Sequence, residues 1–226
     1  MLIIDKYAYT NNLTKFNPMA KFLFAIGSLF ISIAINNIYI NLAIFIIMFM
    51  MTTVIARIPI KAYIKLYIVP VIFLLFSIIP ILISIGKTNE FIYSVNIGKY
   101  YFGLNKETIY TALMTASRSI ACISATYFLA LTTPINQLIK IFKKLKVPNF
   151  IIELIILIYR FIFIFLEEIK EIYVAQEMRY GYYGTKNSFK SFGILIKSLF
   201  VGVFLSYEDM VMALESKLYD GEFKIG

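Results

Sequence analysis

Histidine and tryptophan are absent from this sequence, and cysteine occurs once, at Cys122. A single cysteine excludes an intramolecular disulfide and every cysteine-cluster metal site. Without histidine, the chain lacks the commonest metal ligand and the commonest general base. Charge is scarce as well: 15% of residues are charged and 60% hydrophobic, whereas soluble domains lie nearer a quarter and a half. The surplus apolar surface must face something other than water, so composition selects a membrane protein before any motif is read. No cofactor is expected. An enzyme embedded in the membrane ranks last, because no clustered carboxylates stand in for the missing histidine.

Negative charge is the scarcer sign. Thirteen acids stand against 22 bases, for a formal net charge of +9. The bases flank apolar runs and form no soluble basic domain, which favours an anionic membrane face over nucleic acid as partner. The first sixteen residues lack the basic start, apolar core and cleavage site of a signal peptide.

No charge falls between Lys21 and Arg57. One helix over that interval would be about 52 Å long, against a hydrocarbon core of about 30 Å. The pair Asn36-Asn37 divides it, so two spans are expected near 19–35 and 38–56. A third span over 66–86 carries Pro70 and Pro80, each of which frees a carbonyl that neighbours must satisfy, so this helix is expected to be kinked and packed. The fourth span runs from about 108 to 131. Between the third and fourth, Phe91–Val95 and Tyr100–Phe102 around Asn96–Gly98 suggest a small hairpin.

Orientation follows from the bases. Lys6, Lys15, Lys21, Arg57, Lys61, Lys65, Lys140, Lys143, Lys144 and Lys146 fall on one side, and Lys87, Lys99 and Lys106 on the other. The richer side is cytoplasmic by the positive-inside rule, which puts the N-terminus and everything from residue 132 onward inside the cell. Thr132-Thr133-Pro134 opens a short basic helix, and Pro148 begins the next. Residues 150–166 are apolar enough to cross, yet Glu153, Arg160 and Glu167 recur every seven residues as a polar stripe. Like 192–206, which contains Lys197, this segment reads as a long amphipathic helix lying under the membrane. The fold class is therefore all-α and integral to the plasma membrane: a transmembrane domain over 1–131 with about four spans, then a cytoplasmic helical domain over 132–226.

The tail contains a weak repeat. Glu171, Ala175, Glu177 and Arg179 are echoed by Asp209, Ala213, Glu215 and Lys217, and each copy runs into glycine, at Gly181 and Gly184 or at Gly221. Residues four apart share a helix face, so acid, alanine and base form a short ladder twice. Alanine lets a partner approach while the base projects past it; two ordinary helix ends carrying local ion pairs would look the same. In the fourth span, Arg118 is either functional or a snorkelling residue near the span's edge. Ala112 and Ala116, then Ala121 and Ala125, form small-residue faces for a partner subunit or for the chain's own helices. Gly86-Lys87-Thr88 is no phosphate loop, because Ile81 occupies the first glycine position and a span precedes it.

Over about 200 residues, several segments taken in order resemble the T components of energy-coupling factor transporters, particularly the cobalt-associated CbiQ type. The segments are Asn17-Pro18-Met19-Ala20-Lys21, Arg118-Ser119, Leu131-Thr132-Thr133-Pro134, Pro148, Tyr159-Arg160, Ala175-Gln176-Glu177-Met178-Arg179-Tyr180-Gly181-Tyr182 and Ala213-Leu214-Glu215-Ser216-Lys217-Leu218-Tyr219-Asp220-Gly221. The resemblance implies a non-enzymatic scaffold with two ATP-binding-cassette ATPase subunits and a substrate-binding membrane (S) subunit as partners, coupled through Arg179 and Lys217. It implies cobalt or nickel as cargo, with a vitamin transporter as the alternative and a self-contained channel or secondary carrier as a more distant one. The family usually carries arginine where this chain has Lys217, so a planar fork of donors is replaced by a point charge. Five residues follow Gly221, a shorter tail than the resemblance leads one to expect.

Overall fold

A computed structural model describes residues 3–82, 84–86, 93–97 and 100–216. The chain divides into two units, 1–141 and 142–226. The first contains α1 (Ile3–Thr10), a 3-10 turn (Asn12–Lys15), α2 (Pro18–Ala34), α3 (Ile38–Met50), which continues into a π-helical turn (Met51–Ile55), and α4 (Ile60–Leu82). Three short strands follow, β1 (Ser84–Gly86), β2 (Tyr93–Ile97) and β3 (Tyr100–Leu104), then α5 (Lys106–Thr132) and α6 (Ile135–Lys144), which reaches into the second unit. The remainder of that unit is α7 (Asn149–Glu177) and α8 (Thr185–Ser216).

Helix starts follow local chemistry. Asn17 accepts a hydrogen bond from the Met19 amide at 3.0 Å with Pro18 at the first helical position, and Asn37 accepts from Tyr39 at 2.8 Å. The second asparagine of the dividing pair is thus the cap of α3. The Asn105 amide donates to Thr108 Oγ1 at 3.1 Å, which opens α5.

α5 is the axis of the first unit and packs against α1, α2, α3 and α4. Its buried face includes Ala125, Phe128 and Leu131, which join Leu13, Ala25, Met48 and Tyr63 in the core. Phe24 meets Phe128 edge-on, with ring centroids 5.8 Å apart. Because the alanines present almost no side chain, the neighbouring backbones come close, as helices in lipid must do to associate at all.

α4 differs from expectation in two respects. It starts six residues earlier than the expected span and ends at Leu82, so that Ser84–Gly86 becomes a strand. Beyond Pro70 it is not packed: its only buried residue is Tyr63, and Ile72, Phe73 and Phe76 are exposed. The expected rescue of a proline-freed carbonyl is present at Pro70. Proline 70 cannot donate to Leu66 O, and the Tyr127 hydroxyl from α5 donates to that oxygen at 3.0 Å.

The three strands form an antiparallel sheet in the order β1-β3-β2, with Tyr93 opposite Leu104 and Ile97 opposite Tyr100. The anticipated hairpin is therefore present with its first strand displaced toward Ile97; Phe91, Ile92 and Gly98 lie outside the described residues. β1 was hidden in the sequence at the end of an apolar run.

Four helical stretches among the described residues are long and apolar enough to cross a membrane: 38–55, α4, α7 and α8. α2 is shorter, and α5 qualifies only jointly with α6, across a bend of 103°. The reason lies in α5's position: a helix wrapped by four others needs no lipid-facing apolar surface, so it can carry Ser117, Arg118, Ser119 and Ser124. In α7 and α8 the apolar residues face each other across a groove of about 540 Å³ whose lining includes Leu157, Phe161, Phe165, Phe200 and Phe204.

Candidate functional site

The first copy of the tail repeat ends α7. Glu171, Ala175 and Glu177 lie on the helix and are exposed, and Arg179 follows its last turn, also exposed. The turn that presents Arg179 is closely built. Gln176 O accepts the amides of Arg179 at 3.1 Å and Gly181 at 2.9 Å. This closure needs a left-handed residue after the helix, and Tyr180 supplies it at φ 56°. Sequence rules favoured glycine there. Gly181 serves another purpose: a Cβ on it would lie 2.7 Å from Ser191 Oγ and 2.9 Å from Gln176 O. The second left-handed position does fall on a glycine, Gly184, at φ 81°.

Side chains then tie the turn to both helices. Ser191 Oγ donates to Gly181 O at 2.6 Å, and the Tyr182 hydroxyl donates to Gln176 Oε1 at 2.7 Å. Tyr182 stacks on Tyr173 at 4.8 Å between centroids, and Ser188 Oγ donates to Tyr182 O at 3.1 Å. Beside the turn is a shallow depression of about 300 Å³, lined by Arg179 and Lys190 together with Gln176, Asn187 and Ser191. Gln176 Nε2 is buried there with no partner among the described residues. The arrangement offers two cations and an unused amide donor, which suits a carboxylate or carbonyl acceptor.

In the second copy, Asp209, Ala213 and Glu215 are exposed on α8. Lys217 and Gly221 lie outside the described residues.

The residues singled out in α5 differ in burial. Ala112, Ala121 and Ala125 are 3%, 0% and 0% exposed, packed inside the bundle. Ala116 is half-buried. Arg118 is half-buried and its guanidinium donates to Asn36 Oδ1. That contact sets it level with the turn between α2 and α3, at the end of the bundle, which favours the edge position over a buried path.

The sequence reading missed the polar contacts that hold the bundle. Ser32 Oγ donates to Asn41 Oδ1 at 2.9 Å, with both residues fully buried. The Tyr67 hydroxyl donates to Ser124 Oγ at 2.8 Å and lies 3.0 Å from that of Tyr63. It also missed the partners of Lys21, whose ammonium donates to Leu13 O at 3.1 Å, Thr132 O at 2.7 Å and Gln137 Oε1 at 2.8 Å. The available signal was a polar side chain inside an apolar run, which in a membrane protein calls for a partner.

Four helical stretches long and apolar enough to span a bilayer make this a multi-pass membrane protein. The family model described as CbiQ, cobalt transport protein, matches residues 10–225. The chain is 31% identical over 223 residues to the uncharacterized protein MJ1089 of Methanocaldococcus jannaschii, covering 99% of this chain and 82% of that one. To the cobalt transport protein CbiQ of Salmonella typhimurium it is 29% identical over 223 residues, 98% and 99% of the two chains. To the energy-coupling factor transporter transmembrane protein EcfT of Limosilactobacillus fermentum it is 36% identical over 121 residues, 48% and 45% of the two chains. The chain belongs to the CbiQ cobalt transport protein family and is a membrane component of a cobalt or energy-coupling factor transporter.

Proposed function

We propose that this chain is the energy-coupling (T) subunit of an ATP-driven uptake transporter for cobalt or nickel ions. It has no catalysis of its own. Two ATP-binding-cassette subunits hydrolyse ATP on the cytoplasmic side, and a substrate-binding membrane subunit receives the motion. The observation that carries this reading is the turn at 178–184, where hydrogen bonds and a stacked tyrosine pair fix the base of an exposed Arg179 just past a helix end. A fixed cation transmits a push, whereas one on a floppy loop absorbs it. Ala175 leaves room on the same face for a groove wall, and the sequence repeats the alanine-to-base spacing at Ala213 and Lys217.

In this reading α2, α3, α4 and α5 cross the membrane, with the N-terminus and residues from 132 onward in the cytoplasm. α7 and α8 stay inside although their composition would let them cross. If α7 crossed, Lys170, Arg179, Lys186 and Lys190 would lie outside, against the positive-inside rule. A crossing by 150–166 would also place Glu153 and Arg160 in hydrocarbon, at about 2.5–3.5 kcal/mol for the arginine.

Co-purification and uptake provide the test. The chain should capture ATPase subunits from a membrane extract, and Arg179→Ala should lower that capture and ATP-coupled uptake of cobalt or nickel while leaving the bundle folded. Unchanged capture and uptake in Arg179→Ala would remove the coupling role. Uptake by the chain alone in liposomes would favour a self-contained carrier, and ATP-coupled uptake of a vitamin in place of metal would redirect the cargo.

A further inference from the structure

We propose that Lys21 is the pin of the elbow between α5 and α6, a buried ammonium that holds the two helices at a fixed angle. The proposal begins with α5's last turn. Thr132 is followed by Thr133 and Pro134, and the chain bends by 103° into α6. Pro134 has no amide hydrogen, and the chain's departure removes the next intrahelical donors, so the final carbonyls of α5 need partners from elsewhere. Residues from the start of the chain provide them. Asn11 Nδ2 donates to Leu131 O at 3.1 Å, and Lys21 Nζ to Thr132 O at 2.7 Å.

The same ammonium also grips α6. It donates to Gln137 Oε1 at 2.8 Å, on the first turn of that helix, and its third hydrogen goes to Leu13 O at 3.1 Å. Gln137 returns the link, its Nε2 donating to Thr14 O at 2.6 Å. Lys21 is 5% exposed, and an ammonium has three donors; all three are used, each on a different segment. Every acceptor is neutral, and Thr132 O lies at the C-terminus of α5, so the negative end of that helix's dipole faces the charge. The cation therefore cannot be satisfied by moving one helix alone. A change of elbow angle strips it of an acceptor in a site closed to water, so the joint has one preferred setting.

The pin stands on this geometry. Its consequence for transport rests on the coupling reading: a push on α6 reaches the α2–α5 bundle in place of being taken up at the bend.

Spin-label distances on the full chain in lipid nanodiscs test it. In a Cys122→Ser background, labels replace exposed Thr126 on α5 and exposed Lys140 on α6, and a control pair replaces exposed Leu42 on α3 and exposed Leu113 on α5. The parent should give one narrow Thr126–Lys140 distance. Lys21→Met should at least double its width while the control pair stays unchanged; Gln137→Ala, which removes one acceptor, should broaden it less. An unchanged width in Lys21→Met with an unchanged control overturns the pin. Should Lys21→Met disturb the control pair, Gln137→Ala decides, and an unchanged width there overturns the pin equally. In the assembled transporter, Gln137→Ala should retain ATPase subunits and lose uptake at least several-fold. If the parent captures no ATPase, the coupling reading fails and the distance arm still decides the pin.

Discussion

Gly181→Ala probes the turn most sharply, because it leaves Arg179, its charge and its helix untouched. A methyl at this position would meet Ser191 Oγ at 2.7 Å and the Gln176 carbonyl at 2.9 Å. The serine cannot simply rotate away, since its hydroxyl is committed to Gly181 O at 2.6 Å and its side chain is buried. The carbonyl is backbone and already closes the turn through the Arg179 and Gly181 amides. Overpacking of this kind costs about 1–3 kcal/mol, and loss of the serine bond adds about 0.5–1.5 kcal/mol. A local destabilisation of about 2–4 kcal/mol opens the turn roughly 30- to 1,000-fold more often. Hydrogen exchange on the purified chain should therefore show protection of the amides at 179–181 falling by about that factor, with the α5 amides unchanged. ATPase capture should fall in parallel, because Arg179 is no longer held in place. Unchanged exchange at 179–181 would refute the close approach. Faster exchange with full capture would refute the claim that a fixed Arg179 is needed.

Two further outcomes concern single side chains. Lys217→Arg should preserve or strengthen ATPase capture, since a guanidinium adds donors at the same charge; a clear loss would mean that the end of α8 is built differently from that of α7. Tyr127→Phe should lower thermal stability by about 1–3 kcal/mol by leaving Leu66 O unpartnered next to Pro70, and should cost much less in a Pro70→Ala background, where the residue 70 amide can take the same carbonyl. Equal costs in both backgrounds would disprove the compensation.

The membrane class and the first helix ends could be read from local chemistry. Asn17-Pro18 and Asn37 announce helix starts by the bonds their side chains accept from two residues on, and such short-range rules need no knowledge of the fold. The roles of the α5 residues could not be read this way. A stripe of alanines says only that something comes close, and whether that is a partner or α2 and α3 depends on packing. Lys21 was legible as a base at a span's entrance, but its acceptors lie 8, 111 and 116 residues away, and no local rule reaches them. Tyr180 defeated the glycine rule because the turn needs two properties at adjacent positions. Only Gly181 can meet the close approach to Ser191, which leaves the left-handed position to a tyrosine at a cost of about 1–3 kcal/mol. The spans diverged for a similar reason: apolarity marks helices that face lipid or each other, while the helix at the centre of the bundle is comparatively polar.

Sidedness of the 178–184 turn is the most direct test of the coupling account. Single cysteines at Tyr39, Lys61 and Tyr183, all exposed, in a Cys122→Ser background can be treated with a membrane-impermeant maleimide on intact cells. The account predicts that the Tyr39 site labels at once, while the Lys61 and Tyr183 sites label only after permeabilisation. Labelling of the Tyr183 site from outside, together with that of Tyr39, would place Arg179 where no cytoplasmic ATPase can reach it.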